Sequence, residues 1–155
     1  MSFHIRGLDP APFRELYGLS DAALAERHIV RMRCDTKPGY PDRVTLADID
    51  AGGHALLLNY THQPAATPYR AAHAIFVQEG AETPFEGTDV IPEALQSRLL
   101  SLRAFDGAGM MIDADIIEGR EAPSLISRLF DNPHSAYIHA HFARRGCFAA
   151  RIERA

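Results

Sequence analysis

Two histidines near the carboxyl end of the chain are the first residues whose type and spacing suggest chemistry. In a β-strand, His139-Ala140-His141 places both imidazoles on one side, about 7 Å apart along the backbone. That spacing suits a transition-metal site, with Asp113, Asp115, His62 or His73 as further ligands. Two features oppose a metal: the stretch 143–150 contains no acidic residue, and nearby arginines would repel a cation.

The same side chains suit acid–base chemistry or anion binding without a metal. A histidine beside a carboxylate titrates near neutrality, and arginine offers paired donors to carboxylate or phosphate. We therefore predict proton transfer by His139 or His141, with Asp113 raising the basicity of the imidazole. We expect a second set of residues to bind a small polar or anionic ligand: His62, Tyr69, Arg70, His73 and Arg103. Of these, His62 and Tyr69 are expected near the mouth of the pocket.

Signature motifs of other chemistries are absent. The chain has no Gly-x-Ser-x-Gly nucleophile motif, no phosphate-binding loop and no Gly-x-Gly-x-x-Gly, so no cofactor is predicted. Cys34 and Cys147 are expected to be free, buried thiols with a structural role.

The stretch around Asp106 to Gly109 predicts a hairpin with a defined register. One face of the first strand is apolar and carries Leu100, Leu102 and Ala104. This face lies beside the apolar face of the second strand only if the loop between the strands has an odd number of residues. A three-residue loop, Gly107–Gly109, satisfies this, with glycine at the left-handed last position. The register then places Arg103 opposite Asp113 and Ser101 opposite Asp115.

A second hairpin is predicted with a three-residue loop, Arg144–Gly146. Phe148 would then join Ile138 and Ala140 on the apolar face, with His139 opposite Arg151 and His141 opposite Ala149. If the polar faces of both hairpins look the same way, their ionisable groups converge in one pocket. The competing interpretation is an ordinary water-facing sheet surface with paired charges.

The remaining pattern predicts an α+β fold. Short connections favour antiparallel pairing, so we expect a mainly antiparallel, curved sheet with two or three helices, a small barrel or double-sheet roll being open alternatives. The predicted strands are 3–8, 29–34, 54–60, 72–78, 99–105, 110–117, 136–142 and 147–153, and the predicted helices are 22–27, 92–96 and 121–131. Thr45 and Asp48 have the spacing of a helix N-cap.

Length and composition bound the class of protein. The 155 residues fit one globular domain spanning 1–155, and a net charge of −4 gives no general attraction for nucleic acid. No apolar stretch is long enough to cross a bilayer and no signal peptide is recognisable, so a cytoplasmic protein without membrane partners is expected. The oligomeric state is not predicted.

Several segments together resemble a known bacterial family. They are Leu56 to Pro64, Thr67 to Arg70, His73 to Val77, Leu99 to Asp106, Gly109 to Asp115, Tyr137 to His141 and Gly146-Cys147. The chain is similar along nearly its whole length to the domain of unknown function 1203. The resemblance implies a bacterial, cytosolic, single-domain protein, and it transfers no catalytic role. Two classes stay open: an enzyme or small-molecule binder, and a non-catalytic structural or interaction module.

Overall fold

The chain forms two antiparallel sheets and three short helices. A computed structural model describes residues 1–155. The strands are β1 (Phe3–Arg6), β2 (Val30–Arg33), β3 (His54–Gln63), β4 (Ala71–Gln78), β5 (Glu86–Thr88), β6 (Leu99–Phe105), β7 (Met111–Glu118), β8 (Tyr137–Phe142) and β9 (Phe148–Arg154). The helices are α1 (Asp21–Glu26), α2 (Glu93–Gln96) and α3 (Ala122–Phe130). The predicted α+β class with mainly antiparallel strands is confirmed.

The larger sheet has six strands in the order β5-β1-β9-β8-β6-β7. One of its faces carries Leu100, Leu102, Ile138 and Ala140, which are fully buried. Helix α3 covers this face with the apolar stripe that its four-residue spacing predicts: Leu125, Ile126, Leu129 and Phe130. Removal of this surface from water is the main source of stability on that side of the sheet.

The smaller sheet has the order β2-β3-β4 and builds a second core. Leu56 and Leu58 from β3 pack with Ile75 and Val77 from β4 and with Leu24 from α1. Ser20 caps α1 as predicted, because its side chain accepts a hydrogen bond from the amide of Ala23 at 3.1 Å. The continuation of β3 brings the smaller sheet against the uncovered face of the larger one.

Most elements lie within two or three residues of their predicted bounds, with two differences. The strand β5 is absent from the predicted set, because three residues containing a central glycine carry no alternating pattern. The predicted N-cap at Thr45 is wrong, since the side chain of Asp42 accepts hydrogen bonds from both the amide and the hydroxyl of Thr45.

The β6–β7 hairpin has the predicted loop but not the predicted register. Asp106 and Met110 close the three-residue loop through a backbone hydrogen bond of 2.9 Å, and Gly109 is left-handed at φ +86°. A β-bulge at position 112 then shifts β7 by one residue, so Ala114 lies opposite Arg103 and Asp113 lies opposite Ala104. Because opposite residues share a face, the predicted pairing of Arg103 with Asp113 and of Ser101 with Asp115 is wrong.

The β8–β9 hairpin shows the reverse combination. The predicted three-residue loop is wrong, because Phe142 donates to the carbonyl of Cys147 across a loop of four residues, 143–146. A bulge at Ala149 adds a second shift, which restores the predicted pairs Ala140–Ala150 and His139–Arg151. Between the two shifts Phe148 lies opposite His141, in the place that the pattern predicts for Ala149.

Two further expectations are that the thiols are free and that no segment is long enough to cross a bilayer. Cys34 and Cys147 are both free, as predicted. The longest helix, α3, has nine residues, and no helix reaches the length and apolar character that a membrane span requires.

Candidate functional site

His139 and His141 occupy the face of the larger sheet that α3 does not cover. They alternate along β8 with Ile138 and Ala140, which point into the core under α3. Both histidines are almost completely buried, with 2% and 1% of their surface exposed. The competing interpretation of a water-facing sheet surface is therefore wrong for this pair, because the smaller sheet covers it.

A third histidine reaches the pair from the smaller sheet. The strand β3 has a bulge at its end, where Thr61 pairs with Ala72 but Gln63 pairs with Ala71. Bulges change the direction in which side chains point. The ring of His62 lies with its centroid 4.9 Å from that of His141 and 6.0 Å from that of His139.

Each of the three imidazoles has one buried ring nitrogen without a hydrogen-bond partner. One nitrogen from each ring lies within 4.8 Å of the other two. Nδ1 of His62, Nδ1 of His139 and Nε2 of His141 are buried without a hydrogen-bond partner, and no other buried side-chain nitrogen or oxygen in the chain lacks one. An unsatisfied buried polar atom costs about 1–3 kcal/mol, so three in one place indicate a role beyond folding.

The tautomer of His141 follows from its backbone contact. Its Nδ1 lies 2.9 Å from the carbonyl oxygen of Gly146, which can only accept, so Nδ1 carries the proton. The lone pair is then on Nε2, the atom without a partner. Metal-binding histidines commonly have this arrangement, in which a carbonyl orients the ring and fixes its tautomer.

The electrostatic environment keeps the imidazoles neutral. Burial lowers the pKa of His139 to about 3, and positive charge on His141 or His62 would act in the same direction. Burial also lowers the pKa of His141 to about 3, although the carbonyl of Gly146 opposes the shift. The pKa of His62 is lowered by burial and by the charge of Arg103. At neutral pH all three rings are therefore available as lone-pair donors.

Aromatic rings and one amide enclose the cluster. Phe148 stacks on His62 with the planes 2° apart and the centroids separated by 5.4 Å, and Phe105 lies 5.0 Å from His139. Gln63, which the β3 bulge also turns inward, donates to the hydroxyl of Tyr137 at 2.9 Å. The walls are mostly apolar, which excludes water and strengthens any interaction with a charge inside.

Two arginines lie on the same face of the larger sheet as His139, and they differ in their charge partners. Arg151 stacks over the ring of Tyr137 at 4.0 Å and forms an ion pair with Glu153, and its charge contributes to lowering the pKa of His139. Arg103 lies opposite His139, bonds only the hydroxyl of Ser101, and has no carboxylate partner. Burial lowers the pKa of Arg103, which is the expected effect on a cation that is partly withdrawn from water.

Asp113 does not join the histidines. The bulge in β7 places it opposite Ala104, on the side of the sheet that faces α3, and its carboxylate bonds the amide of Ala114. Asp115 lies on that side too and pairs with Arg128 of α3 at 2.6 Å. The prediction that Asp113 raises the basicity of His139 is wrong, because the carboxylate lies across the sheet and the pKa shifts downward.

The other predicted ligand-binding residues, Tyr69 and Arg70 in the β3–β4 loop and His73 in β4, are exposed. Tyr69 is partly exposed and meets Phe105 edge-on, with centroids 6.3 Å apart. His73 pairs with Tyr60 and is exposed, and its charge contributes to lowering the pKa of His62 and His141. Arg70 is exposed and its side chain makes no hydrogen bond or ion pair. Ligand binding by these three residues remains a prediction.

The sequence pattern does not identify Phe148, Phe105 or Gln63 as parts of the site. All three lie beside bulges or strand ends, where the alternation of inward and outward residues is interrupted. The alternation assigns Phe148 to the opposite face for this reason. The sequence gives only an indirect indication for Phe148. This aromatic residue follows the loop that ends at Gly146, and the same loop begins next to His141.

Comparison with known proteins identifies a family. The family model described as "Protein of unknown function (DUF1203)" matches residues 39–154, which include every histidine of the cluster. The chain belongs to this family. No curated protein and no solved structure matches it.

Proposed function

We propose that this DUF1203 protein binds one divalent transition-metal ion through His62, His139 and His141. The observation that carries the proposal is that three histidines, each with one buried ring nitrogen that has no partner, also offer ligand nitrogens within 4.8 Å of one another. A metal ion would satisfy all three at once. It would also explain why β8 of the larger sheet and the bulge in β3 of the smaller sheet bring their imidazoles together among aromatic side chains.

The donor set determines which metals fit. Neutral imidazole suits zinc, copper, iron and nickel, whereas calcium and magnesium prefer oxygen ligands. Zinc–nitrogen bonds of about 2.0–2.1 Å put the ligand nitrogens roughly 3.4 Å apart in a tetrahedral site. One nitrogen from each ring lies within 4.8 Å of the other two, so the rings would have to turn inward to reach this geometry.

Three protein ligands leave one coordination position for a small molecule. Catalytic zinc sites have this composition, and a metal there supplies Lewis acidity and activated water. The charges that act on the three imidazoles come from other histidines and from arginines, with no carboxylate among them. We therefore infer a small anionic ligand at the open position, held by the unpaired guanidinium of Arg103.

The neutral histidines favour this proposal over proton transfer without a metal. A general base is effective when its pKa lies near the working pH. Burial lowers the pKa of His139 and of His141 to about 3, which makes each a weak base and leaves each free as a metal ligand. A purely structural module, in contrast, has no use for three unsatisfied buried nitrogens.

Zinc titration of the metal-free protein tests the proposal. We expect one Zn²⁺ per chain by isothermal titration calorimetry after treatment with EDTA. Separate H62A, H139A and H141A substitutions should each weaken binding by at least about 100-fold, the upper end of the effect of losing a ligand's hydrogen-bond partner. The matched control is H134A, because His134 is exposed and outside the cluster. Equal affinity in the control and in the three variants would refute the metal site.

A substitution of Arg103 tests the anion separately. R103Q should retain zinc with little change, because Arg103 is not a ligand and removal of a nearby positive charge does not disfavour a cation. Acetate binding to the zinc-loaded protein should weaken by about tenfold, which corresponds to one charge-assisted hydrogen bond. Acetate affinity that is the same in wild type and R103Q would exclude Arg103 as the anion-binding group.

A further inference from the structure

A cavity lies apart from the three histidines, where β6 begins and where β7 and β8 end. Its volume is about 590 Å³, which is within the range of pockets for small organic molecules. One wall comes from the smaller sheet through Met32 and Phe76, and the other from the larger sheet through Leu99 and Phe142. The loop that closes the β8–β9 hairpin forms the rim.

The charge of this cavity is strongly one-sided. Four arginines line it, at positions 43, 98, 144 and 145, and Glu118 is the one acidic residue in the lining. Of the four, only Arg98 has a carboxylate partner, Asp48 at 2.6 Å. Such an excess of positive charge is unusual in a protein whose net charge is −4. It favours negatively charged molecules inside the cavity.

Arg43 supplies a fixed positive charge at the base. It is 1% exposed, and its nitrogens donate to the carbonyls of Phe148 and Pro41 and to Sγ of Cys147. None of these acceptors is a carboxylate, although the negative charge of the neighbouring Asp42 acts on the guanidinium. Burial lowers the pKa of Arg43 to about 10, which leaves the guanidinium charged at neutral pH.

Arg144 and Arg145 supply unpaired donors at the rim. Both are exposed, and neither makes a side-chain hydrogen bond or an ion pair within the chain. The loop that carries them, residues 143–146, is set by the left-handed Gly146 and by its amide bond to the carbonyl of Phe142. Their guanidinium groups are therefore free to close on an anionic group at the cavity mouth.

The remaining lining suits a flat apolar body. The rings of Tyr40 and Phe76 contact each other with centroids 5.2 Å apart. The ring of Phe142 contacts two guanidiniums, those of Arg43 and Arg98, at 4.9 and 5.2 Å from the ring centroid. Aromatic and guanidinium planes stack well on planar organic groups.

We propose that this cavity binds an organic anion with a planar apolar body, whose carboxylate, sulfonate or phosphate group is held by Arg144 and Arg145. The ligand would contact the two sheets together, with its apolar part between Phe76 and Phe142. This site does not depend on the metal ion, because its lining contains none of the three histidines.

A pair of fluorescent probes tests the proposal on the intact protein in the presence of EDTA. The probes are 1-anilinonaphthalene-8-sulfonate and N-phenyl-1-naphthylamine, which share the ring system and differ in the sulfonate. We expect the sulfonate to bind one site per chain, at least tenfold more tightly than the neutral compound. The double variant R144Q/R145Q should weaken sulfonate binding by at least tenfold and leave binding of the neutral compound unchanged.

The control keeps the same change of net charge elsewhere. In R6Q/R120Q two exposed arginines outside the cavity are replaced, and the affinity for the sulfonate should change by less than twofold. Far-ultraviolet circular dichroism verifies that both double variants fold. Equal binding of the two probes to wild type, or equal sulfonate affinity in R144Q/R145Q and the control, would overturn the proposal.

Discussion

At the scale of single residues, the histidines of the cluster are unlike histidines on a protein surface. His139 and His141 are buried and His62 is half-buried, all three are neutral, and each has one buried ring nitrogen without a partner. Such an arrangement stores an energetic cost in the metal-free protein. The His-x-His spacing predicts the pair on β8, but its burial depends on a strand from the other sheet, which no local pattern reveals.

The lowered pKa values make the stability of the metal-free protein depend on pH. An unfolded histidine takes up a proton near pH 6.5, whereas His139 and His141 in the folded protein resist protonation down to about pH 3. The unfolded state therefore binds more protons in this window. The contribution of these two histidines to stability is fully present above pH 6.5 and falls as the pH decreases, by at most about 1.4 kcal/mol per pH unit for each histidine.

Urea denaturation at pH 7, 6 and 5 measures this effect. The variant H139L/H141L removes both groups, so we expect a smaller loss of unfolding free energy on acidification than in wild type. The difference should approach about 2.7 kcal/mol per pH unit between pH 6 and 5, as an upper estimate. Identical pH dependence in the two proteins would show that the imidazoles protonate normally in the folded state.

At the scale of secondary structure, the β-bulges decide which residues meet. The apolar alternation predicts most strands to within two or three residues and the left-handed Gly109 of the first loop. The alternation is interrupted by bulges at position 112, at His62 and at Ala149. At each of them one extra residue moves the side chains that follow to the opposite face of the sheet. A bulge leaves no mark in the hydrophobic pattern because it is set by contacts with other strands. For this reason the alternation places Asp113 on the wrong face, while it pairs His139 and Arg151 correctly.

The β6–β7 loop also positions the loop that follows His62. A Cβ at Gly109 would lie 2.4 Å from Cβ of Ala65, and the carbonyl of Gly109 accepts a hydrogen bond from Thr67. We expect G109A to lower the unfolding free energy by about 1–2 kcal/mol for the left-handed backbone and by roughly a further 1–3 kcal/mol for the clash.

A second glycine separates these two contributions. Gly80 has φ +93°, and a Cβ added there would meet no atom within 4 Å, so G80A carries the backbone cost alone. Urea denaturation of both variants should give a larger loss for G109A. Equal losses would mean that the loop between β3 and β4 does not rest on Gly109.

At the scale of the whole molecule, both proposed sites lie between the two sheets. The larger sheet contributes His139 and His141 to the metal site, and Phe142 with Arg144 and Arg145 to the cavity. The smaller sheet contributes His62 to the first site and Phe76 to the second. The α+β class could be predicted from the sequence, but the division of strands between two sheets could not. That division depends on long-range pairing, which short connections do not specify.

A cobalt titration tests the three-histidine metal site most directly, because the visible spectrum of Co²⁺ reports its ligand geometry. We predict that one equivalent of Co²⁺, added to the metal-free protein, gives the intense visible bands of a four-coordinate ion with nitrogen ligands. H62A should lose these bands although His139 and His141 are intact, because it removes the one ligand that the smaller sheet contributes. H134A should retain them. A wild-type spectrum no stronger than that of aqueous six-coordinate Co²⁺ would contradict the metal site.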